Sequence, residues 1–366
     1  MVMPESLQMA FLEFAGRAQT VNIHRINPLS DGRWDDLVAH HPKASAFHQR
    51  GWLQALARTY GYEPMVLTTA PPGERLANGV VLCRISSWLT GNRLVSLPFA
   101  DHCEPLLSDL ADFQEFVNWL REECCGKRQR YVEFRPLSDV RNAGQGLRPS
   151  RSYWFHELDL GPSLGQIFRQ MHRNSFQRKI RRAEKERVSY ESGNSEQLID
   201  DFYRLLLMTR RRHRLIAQPL NWFRNLVQGM GGKIQIRLAR KNSTPIAALL
   251  TLQHRSSVVY KYGCSDGEYH YLGGMPFLFW RLIEESKASG AEKIDFGRSD
   301  LDNHGLITFK DRLGARRKLL TYYRYTNLQG VGAKFSWESR GLRGIFSRLP
   351  DFVLSAAGGF LYKHLG

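Results

Sequence analysis

Hydrophobic positions along the chain form short runs or alternate with polar ones, and elsewhere they recur at helical spacing. The first pattern predicts strands over residues 80–85, 94–98, 131–135, 154–160, 233–239, 246–253, 258–264, 293–297 and 318–325. The second predicts helices over residues 52–57, 113–120, 198–209 and 275–283. The basic segment 164–187 has no single apolar stripe, so we expect two surface helices there, or one kinked helix.

The order of these elements indicates two units. The second unit runs helix, three strands, helix, strand, short helix, strand, and the first has a similar but less clear order. A polar stretch rich in Gly and Arg, residues 138–150, predicts the linker between them. We therefore predict an α/β (α+β) protein with domains at residues 20–150 and 151–328, each a mixed central sheet flanked by helices. Residues 329–366 would form a basic amphipathic tail.

Composition narrows the class of protein. The 366 residues are 42% hydrophobic, enough for two cores, which excludes a disordered chain. Five cysteines without a CxxC spacing exclude a disulfide scaffold and the usual thiolate zinc site. The first 16 residues lack the basic region of a signal peptide, and the nearly uncharged run 352–361 is too short to span a bilayer. We expect a cytoplasmic protein.

The net charge of +17 is concentrated in three places: residues 169–187, residues 210–214 and the tail. Each block is explained equally well by a solvated helix face. Together they would suit an anionic partner that carries phosphates, such as RNA, a lipid-linked pyrophosphate or a bilayer surface. No pattern of a dedicated nucleic-acid-binding module is present.

Four short motifs follow one another in the second unit. They are YKYGCSD at residues 260–266, LGGMP at 272–276, IDFGRS at 294–299 and FKDRLG at 309–314. In this order they resemble the motifs of the FemAB-like branch of the GNAT superfamily. FHQRGW at residues 47–52 and RKIRRA at 178–183 are similar to two further motifs of that branch. The resemblance covers roughly residues 20–325.

Three features depart from the family. Cys264 stands where an alanine is usual, the two glycines of the LGGMP motif are adjacent, and the long coiled-coil arm of some tRNA-dependent members has no counterpart. The missing arm weakens the case for aminoacyl-tRNA as a substrate.

The resemblance implies two tandem GNAT-type acyltransferase domains and transfer of an acyl or aminoacyl group to an amine. The donor would be acyl-CoA or aminoacyl-tRNA. The acceptor would be a lipid-linked or saccharide intermediate of the cell envelope or of an exopolysaccharide, met at the inner face of the cytoplasmic membrane. Two alternatives remain: an acyl-CoA-dependent N-acetyltransferase acting on a sugar amine, and a non-catalytic basic protein that binds RNA or a membrane. The scattered histidines lack metal-ligand spacing, so we expect no metal, and no tightly bound cofactor.

The resemblance also indicates site residues. Lys310 would stabilise the oxyanion or a phosphate, because aminolysis of an activated ester needs a cation there, and Asp295 would orient the amine or pair with Arg298. The candidates for substrate binding are Phe309, Arg298, Tyr260, Tyr262, Asp266, Arg178 and Arg182. Gly273 and Gly274 precede a helix and would hold the pyrophosphate of the donor. A structural ion pair, strand packing or a plain tight turn would explain the same residues.

The tail interleaves apolar side chains with Arg340, Arg343, Arg348 and Lys363. This composition is typical of a segment that lies at an anionic membrane surface. A helix docked on the body of the protein would have a similar composition, so both interpretations stay open.

Overall fold

The structure is a computed structural model, and it describes residues 22–109, 111–125, 129–141, 146–326, 359 and 361–364. The described strands are β1 His24–Ile26, β2 Glu63–Thr68, β3 Val80–Ile85, β4 Asn92–Val95, β5 Gln129–Phe134, β6 Arg148–Asp159, β7 Ser189–Gly193, β8 Ile234–Lys241, β9 Thr244–His254, β10 Ser257–Ser265, β11 Lys293–Asp300 and β12 Arg316–Tyr325. The described α-helices are α1 Arg33–His40, α2 Arg50–Tyr60, α3 Ala111–Cys125, α4 Leu164–Gln170, α5 Arg178–Lys185, α6 Glu196–Arg212, α7 Leu220–Met230, α8 Gly274–Ala288 and α9 His304–Leu313.

All twelve strands belong to one sheet, in the order β1-β2-β3-β4-β5-β12-β6-β11-β10-β9-β8-β7. The pairs β4–β5 and β10–β11 are parallel, and the other neighbours are antiparallel. The predicted α/β class, with helices flanking mixed sheets, is confirmed. The final strand β12 lies between β5 and β6, so it joins the sheets of the two halves into one.

Most predicted elements are present, and the differences have local causes. Segment 164–187 does form two helices, α4 and α5, separated by a π-helical turn at Arg173–Gln177. The predicted linker is too long, because strand β6 already begins at Arg148. Pattern analysis missed β7, whose sequence SYESG is short and polar, as an edge strand can be. It also missed helix α7.

Helices α2 and α7 bring the two halves of the chain into close contact. At Gly51 in α2, an added Cβ would lie 2.3 Å from the carbonyl oxygen of Gly229 in α7. Trp52 and Trp222 from the same helices pack edge to face with ring centroids 5.2 Å apart. The FHQRGW motif therefore contributes a helix contact between the halves.

The end of the chain packs against the first half. Tyr62 donates a hydrogen bond from Oη to the carbonyl oxygen of Tyr362, 2.6 Å away. Thr90 and the buried Arg93 both donate to the carbonyl oxygen of His364 at 2.8 Å. For residues 361–364 these contacts agree with the second interpretation of the tail, a helix docked on the body of the protein. Residues 327–358, 360, 365 and 366, which include the predicted cations Arg340, Arg343 and Arg348, lie outside the described residues.

Candidate functional site

The parallel strands β10 and β11 pair over three residues only, from Ser257↔Lys293 to Val259↔Asp295. Beyond this point β10 stays paired with β9 and β11 with β6, and each strand contains a bulge. The bulge in β10 lies between Tyr260 and Tyr262, and that in β11 between Asp295 and Arg298. The strands therefore separate where the predicted site residues are located.

A loop of the first half, residues 96–104, reaches this separation. Leu97 and Phe99 have positive φ angles of 45° and 62°, a conformation that costs about 1–3 kcal/mol per residue outside glycine. The guanidinium of Arg135 holds the loop by donating to the carbonyl oxygens of Leu97 and Ala100, at 3.1 and 3.4 Å. The strained loop is thus fixed by contacts with the first half and presents Asp101 and His102 to the second.

Asp101 is the centre of a charged network. Its carboxylate accepts from Lys261 Nζ at 2.6 Å and lies 3.8 Å from Arg298 Nε. Burial disfavours the charged carboxylate, but Lys261 and Arg298 outweigh it and lower the pKa of Asp101 to about 2. Arg298 donates to Tyr322 Oη, which donates to the main-chain oxygen of Asp101, both at 2.6 Å. Asp101 is therefore ionised at neutral pH.

Asp295 is held by two donors. His102 Nε2 lies 2.7 Å from Asp295 Oδ2, and the main-chain N–H of Gly297 donates to Oδ1 at 2.6 Å. Gly297 has a φ of +66°, and an added Cβ would lie 3.0 Å from the Asp101 carboxyl group, so only glycine fits here. Both oxygens of Asp295 are thus occupied by the fold. The predicted alternative of an Asp295–Arg298 pair is not formed, because Arg298 pairs with Asp101.

Lys310, on helix α9, is buried with 3% of its surface exposed. Its ammonium donates to the carbonyl oxygens of Gly297 and Arg298, at 3.2 and 3.0 Å. Burial lowers the pKa of Lys310 to about 8, with Asp101 and Asp295 opposing part of that effect. Two of three N–H donors are used, so the third can bind a substrate oxygen.

We name these residues the junction cluster, because they come from both halves of the chain. Its members are Asp101, His102, Lys261, Asp295, Arg298, Lys310 and Tyr322. Sequence analysis found Asp295, Arg298 and Lys310 but missed the other four. Asp101 and His102 belong to no motif or periodic pattern. Lys261 was overlooked because it lies between the two tyrosines of a predicted strand, which were the candidates instead.

Three predicted aromatic residues lie outside the cluster. Tyr260 is half-buried and packs on Phe279 and Phe296, whereas Tyr262 Oη accepts from Trp222 Nε1 at 3.0 Å in another part of the core. The bulge between the two tyrosines explains why residues two apart do not share a face. Phe309 packs on Phe176 and Phe279. The structure therefore does not place Tyr260 and Tyr262 in one channel.

The predicted glycines lie at the start of α8, and the predicted arginines lie on α5. Gly273 and Gly274 are buried, and an added Cβ on Gly273 would lie 2.4 Å from the carbonyl oxygen of Lys179. Helix α5 thus covers the glycine turn. Arg178 and Arg182 of that helix are exposed, and Arg182 lies over the ring of Tyr271 at 5.5 Å. Asp266 accepts from the main-chain N–H of Glu268 at 3.0 Å and caps the turn before α8.

Within the described residues, no group of three or more His, Cys, Asp or Glu side chains could hold a metal ion. The same part of the chain contains no helix that is both long and apolar enough to cross a membrane.

Comparisons with known proteins identify one domain and the fold of most of the chain. Residues 170–310 match the family model of an acetyltransferase (GNAT) domain. The second half of the chain contains a GNAT domain. This domain carries Lys261, Asp295, Arg298 and Lys310 of the junction cluster. No curated protein matches the sequence.

Solved structures share the fold over most of the chain. FemX aligns with a TM-score of 0.66 at 12% identity, covering 83% of this chain and 97% of FemX. A tandem GNAT protein from the clavulanic acid biosynthesis pathway aligns with a TM-score of 0.52 at 13% identity, covering 83% and 98%. The C-terminal domain of a protein described as a lysylphosphatidylglycerol synthetase, from Agrobacterium fabrum, gives 0.53 at 15%, covering 81% and 91%. The chain thus contains a GNAT acetyltransferase domain at residues 170–310, and most of it has a fold similar to FemX and to a tandem GNAT protein, as its motifs predicted.

Proposed function

We propose that this acyltransferase moves an activated acyl or aminoacyl group to an amine of a cell-envelope or exopolysaccharide precursor. The observation that carries the proposal is the buried ammonium of Lys310, which two carbonyl oxygens orient and which keeps one donor for a substrate. A cation held in this way suits the negative charge that develops on the carbonyl oxygen of an ester or thioester under attack.

In the proposed reaction the amine nitrogen attacks the carbonyl carbon of the donor. A C–N bond forms, the C–O or C–S bond to the carrier breaks, and the amine loses one proton. Lys310 would donate its third N–H to the oxyanion. The reacting groups would lie beside Asp101, Lys261 and Arg298. These side chains would hold their positions during the reaction, because their charges are already paired in the free protein.

Neither carboxylate of the cluster suits the role of proton acceptor. Asp101 has a pKa of about 2 and holds a proton weakly, and both oxygens of Asp295 already accept hydrogen bonds. We infer that the departing carrier takes the amine proton, directly or through water. Asp295 is then a positioning residue rather than a base.

The comparisons support acyl transfer but leave the donor open, because likeness at 12–15% identity concerns the fold alone. One neighbour is named for lysylphosphatidylglycerol and another for clavulanic acid, so the fold accommodates different chemistry. The acyl-CoA-dependent N-acetyltransferase of a sugar amine therefore remains an alternative. The intact motifs at residues 309–310 and 295–298 argue against the non-catalytic alternative, which a degenerate site would favour.

The experiment that decides between the donors is a comparison of ligands that co-purify with the protein, by native mass spectrometry at low salt. Binding of acyl-CoA should be saturable and little affected by salt, whereas tRNA held by many phosphate contacts should dissociate steeply as salt rises. Absence of binding to acyl-CoA species and aminoacyl-tRNA alike would contradict the proposal.

Three further predictions from the sequence remain proposals. They are the domain limits of 20–150, 151–328 and 329–366, the roles of individual site residues, and a location at the inner face of the cytoplasmic membrane. Limited proteolysis tests the first: residue 150 lies within strand β6, so a cut that separates the halves is expected before Arg148, and early cleavage inside the strand would contradict the pairing of β6 with β12.

A further inference from the structure

Arg298 and Lys318 are neighbours across strand β6, on the same face of the sheet. The backbone register pairs Phe155 of β6 with Arg298 of β11 on one side and with Lys318 of β12 on the other. Side chains in register on adjacent strands point to one face, and alternate residues along β6 share that face. Tyr153 and Arg151 therefore lie on it too. We name Arg151, Arg298 and Lys318 the cation row.

Aromatic rings on this face hold two of the cations in place. The guanidinium of Arg298 lies 4.3 Å from the ring centroid of Tyr153, and Lys318 Nζ lies 5.4 Å from that of Phe155. Such a contact between a cation and a ring is favourable by roughly 0.5–1 kcal/mol at an exposed site. The rings are buried, with 5% of Tyr153 and 1% of Phe155 exposed. The face therefore presents cations, rather than an apolar surface, to a ligand.

The cation row keeps donors for a ligand. Arg298 uses Nη1 for Tyr322 and Nε for Asp101, and 34% of its side chain is exposed, which leaves Nη2 for a further contact. Arg151 and Lys318 are exposed, and no carboxylate of the described residues lies within 4 Å of their charged groups. The fold thus orients these cations without neutralising all of them.

The acidic side chains around the row are mostly paired with other cations. Glu133 pairs with two further arginines, at 2.8 and 2.7 Å, and Glu157 pairs with Lys293 at 3.0 Å. Asp300 is in register with Tyr153 and exposed, and no cation of the described residues lies within 4 Å of it. Asp300 is therefore the carboxylate that opposes the row.

The row starts at the junction cluster. Lys310 Nζ donates to the main-chain oxygens of Gly297 and Arg298, so the proposed oxyanion lies beside this point of β11. Lys318 is two strands away, which places its backbone about 10 Å from that of Arg298. An anionic group held by the row would therefore belong to the same substrate molecule as the reacting group, close to it.

The candidate donor site lies on the opposite face of the sheet. Leu158 belongs to the same core cluster as Leu272 of the glycine turn, whereas Tyr153 and Phe155 belong to another cluster. Leu158 and Phe155 are three residues apart on β6, and an odd spacing along a strand changes the face. The row is therefore separate from the turn that would hold the donor, which leaves it for the acceptor.

We propose that the cation row binds an anionic group of the acceptor, a carboxylate or a phosphate near the amine. The inference rests on the proposed acyl transfer and narrows its acceptor to a molecule that carries an amine and anionic oxygens about 10 Å apart or less. Guanidinium groups bind the oxygens of carboxylates and phosphates through paired hydrogen bonds, and an ammonium adds a point charge.

The test labels the full chain with pyridoxal 5′-phosphate, an aldehyde that carries a phosphate. Its aldehyde condenses with the Lys318 amine and releases water, borohydride reduces the imine, and peptide mass spectrometry locates the adduct. The variants are Arg151→Gln and Asp300→Asn. The matched control is Arg317→Gln, because Arg317 is in register with His156 and so lies on the other face. Thermal unfolding confirms that each variant is folded.

Arg151→Gln should lower the rate of labelling at Lys318 at least about fivefold, because it removes a charged hydrogen-bond donor to the phosphate. Asp300→Asn should raise the rate about twofold, because it removes a repulsive charge. Arg317→Gln should change the rate by less than about 1.5-fold, since solvent and salt screen an exposed charge on the far face. Protection of Lys318 by acetate or by inorganic phosphate, at equal ionic strength, distinguishes a carboxylate from a phosphate.

Two labelling results would overturn the proposal. One is an equal rate in Arg151→Gln and Arg317→Gln, which would make Lys318 an ordinary surface lysine. The other is protection by neither anion. Labelling needs no turnover, so the expected labelling in a chain without acyl transfer would contradict the proposed function and leave the anion site. Acyl transfer with an unchanged KM for an anionic acceptor in Lys318→Gln would overturn the acceptor subsite alone.

Discussion

His102 Nε2 lies 2.7 Å from Asp295 Oδ2, although the two residues are 193 positions apart and belong to opposite halves of the chain. Both side chains are 5% exposed. The contact ties the strained loop 96–104 to the bulge of β11, on which Gly297 and Arg298 supply the two carbonyl oxygens that orient Lys310. A pair remote in sequence thus positions the proposed catalytic ammonium.

Removing either partner of this pair should destabilise the protein. His102→Ala leaves a buried carboxylate with one donor fewer, which typically costs about 1–3 kcal/mol and more for a charged group. We expect a similar loss for Asp295→Asn, and a smaller loss for the double variant than the two single losses combined. Unfolding in denaturant measures all three, and strictly additive losses would contradict a direct interaction.

Lys310→Met should abolish most turnover without lowering stability at pH 7. Loss of one oxyanion donor typically costs about 10²–10³ in rate. The pKa of Lys310 is lowered from 10.5 to about 8, so the folded protein binds this proton more weakly than the unfolded chain. Below pH 8 the buried charge destabilises the wild type, by at most about 3 kcal/mol, and this cost fades between pH 8 and 10.5.

The difference in the free energy of unfolding between Lys310→Met and the wild type should therefore change with pH in a fixed direction. Lys310→Met should be at least as stable as the wild type at pH 7, and its advantage should shrink as pH rises above 8. Denaturant unfolding at pH 7, 8.5 and 10 checks this. An advantage that grows with pH would show that Lys310 does not titrate as a buried cation.

The rate should depend on pH through the same group. If the charged ammonium stabilises the oxyanion, kcat should fall as pH rises through about 8, once the change in amine protonation is corrected with substrates of different amine pKa. A rise through the same pH would instead indicate that neutral Lys310 accepts the amine proton. Single-turnover rates between pH 6.5 and 9.5 distinguish the two roles.

Local pattern and motif order predicted much of the fold but only part of the site. Strands such as Val80–Ile85 and Thr244–His254 are apolar enough to be recognised alone, and Lys310 was found through its motif. Asp101 and His102 acquire their roles only when the loop of one half meets β11 of the other. Helix α7 could have been found, because Trp222, Leu226 and Met230 are four residues apart and buried.

Gly51→Ala should separate the two halves at the α2–α7 contact. The added Cβ would lie 2.3 Å from the carbonyl oxygen of Gly229, and this backbone atom cannot move aside cheaply. We expect a loss of roughly 1–3 kcal/mol in the free energy of unfolding. The matched control is Gly165→Ala in α4, where nothing lies within 4 Å of the added Cβ, and it should cost nothing.

A chain that ends at residue 358 should be less stable, because the last residues satisfy buried groups of the body. Arg93 is 3% exposed and would lose the carbonyl oxygen of His364, and Tyr62 Oη would lose that of Tyr362. Each lost partner of a buried donor costs about 1–3 kcal/mol, partly recovered if water enters. Thermal unfolding of the shortened and full-length chains measures the difference.

The matched control for this truncation is Tyr362→Phe, which removes only the hydrogen bond to Ile216 and should cost about 0.5–1.5 kcal/mol. Equal stability of the truncated and full-length chains would show that the terminal residues do not pack on the body in solution. The truncation should also slow turnover, since the ring of Tyr362 packs on Phe99, two residues before Asp101, with centroids 5.5 Å apart. Loss of that support would loosen the strained loop that brings Asp101 and His102 to the junction cluster.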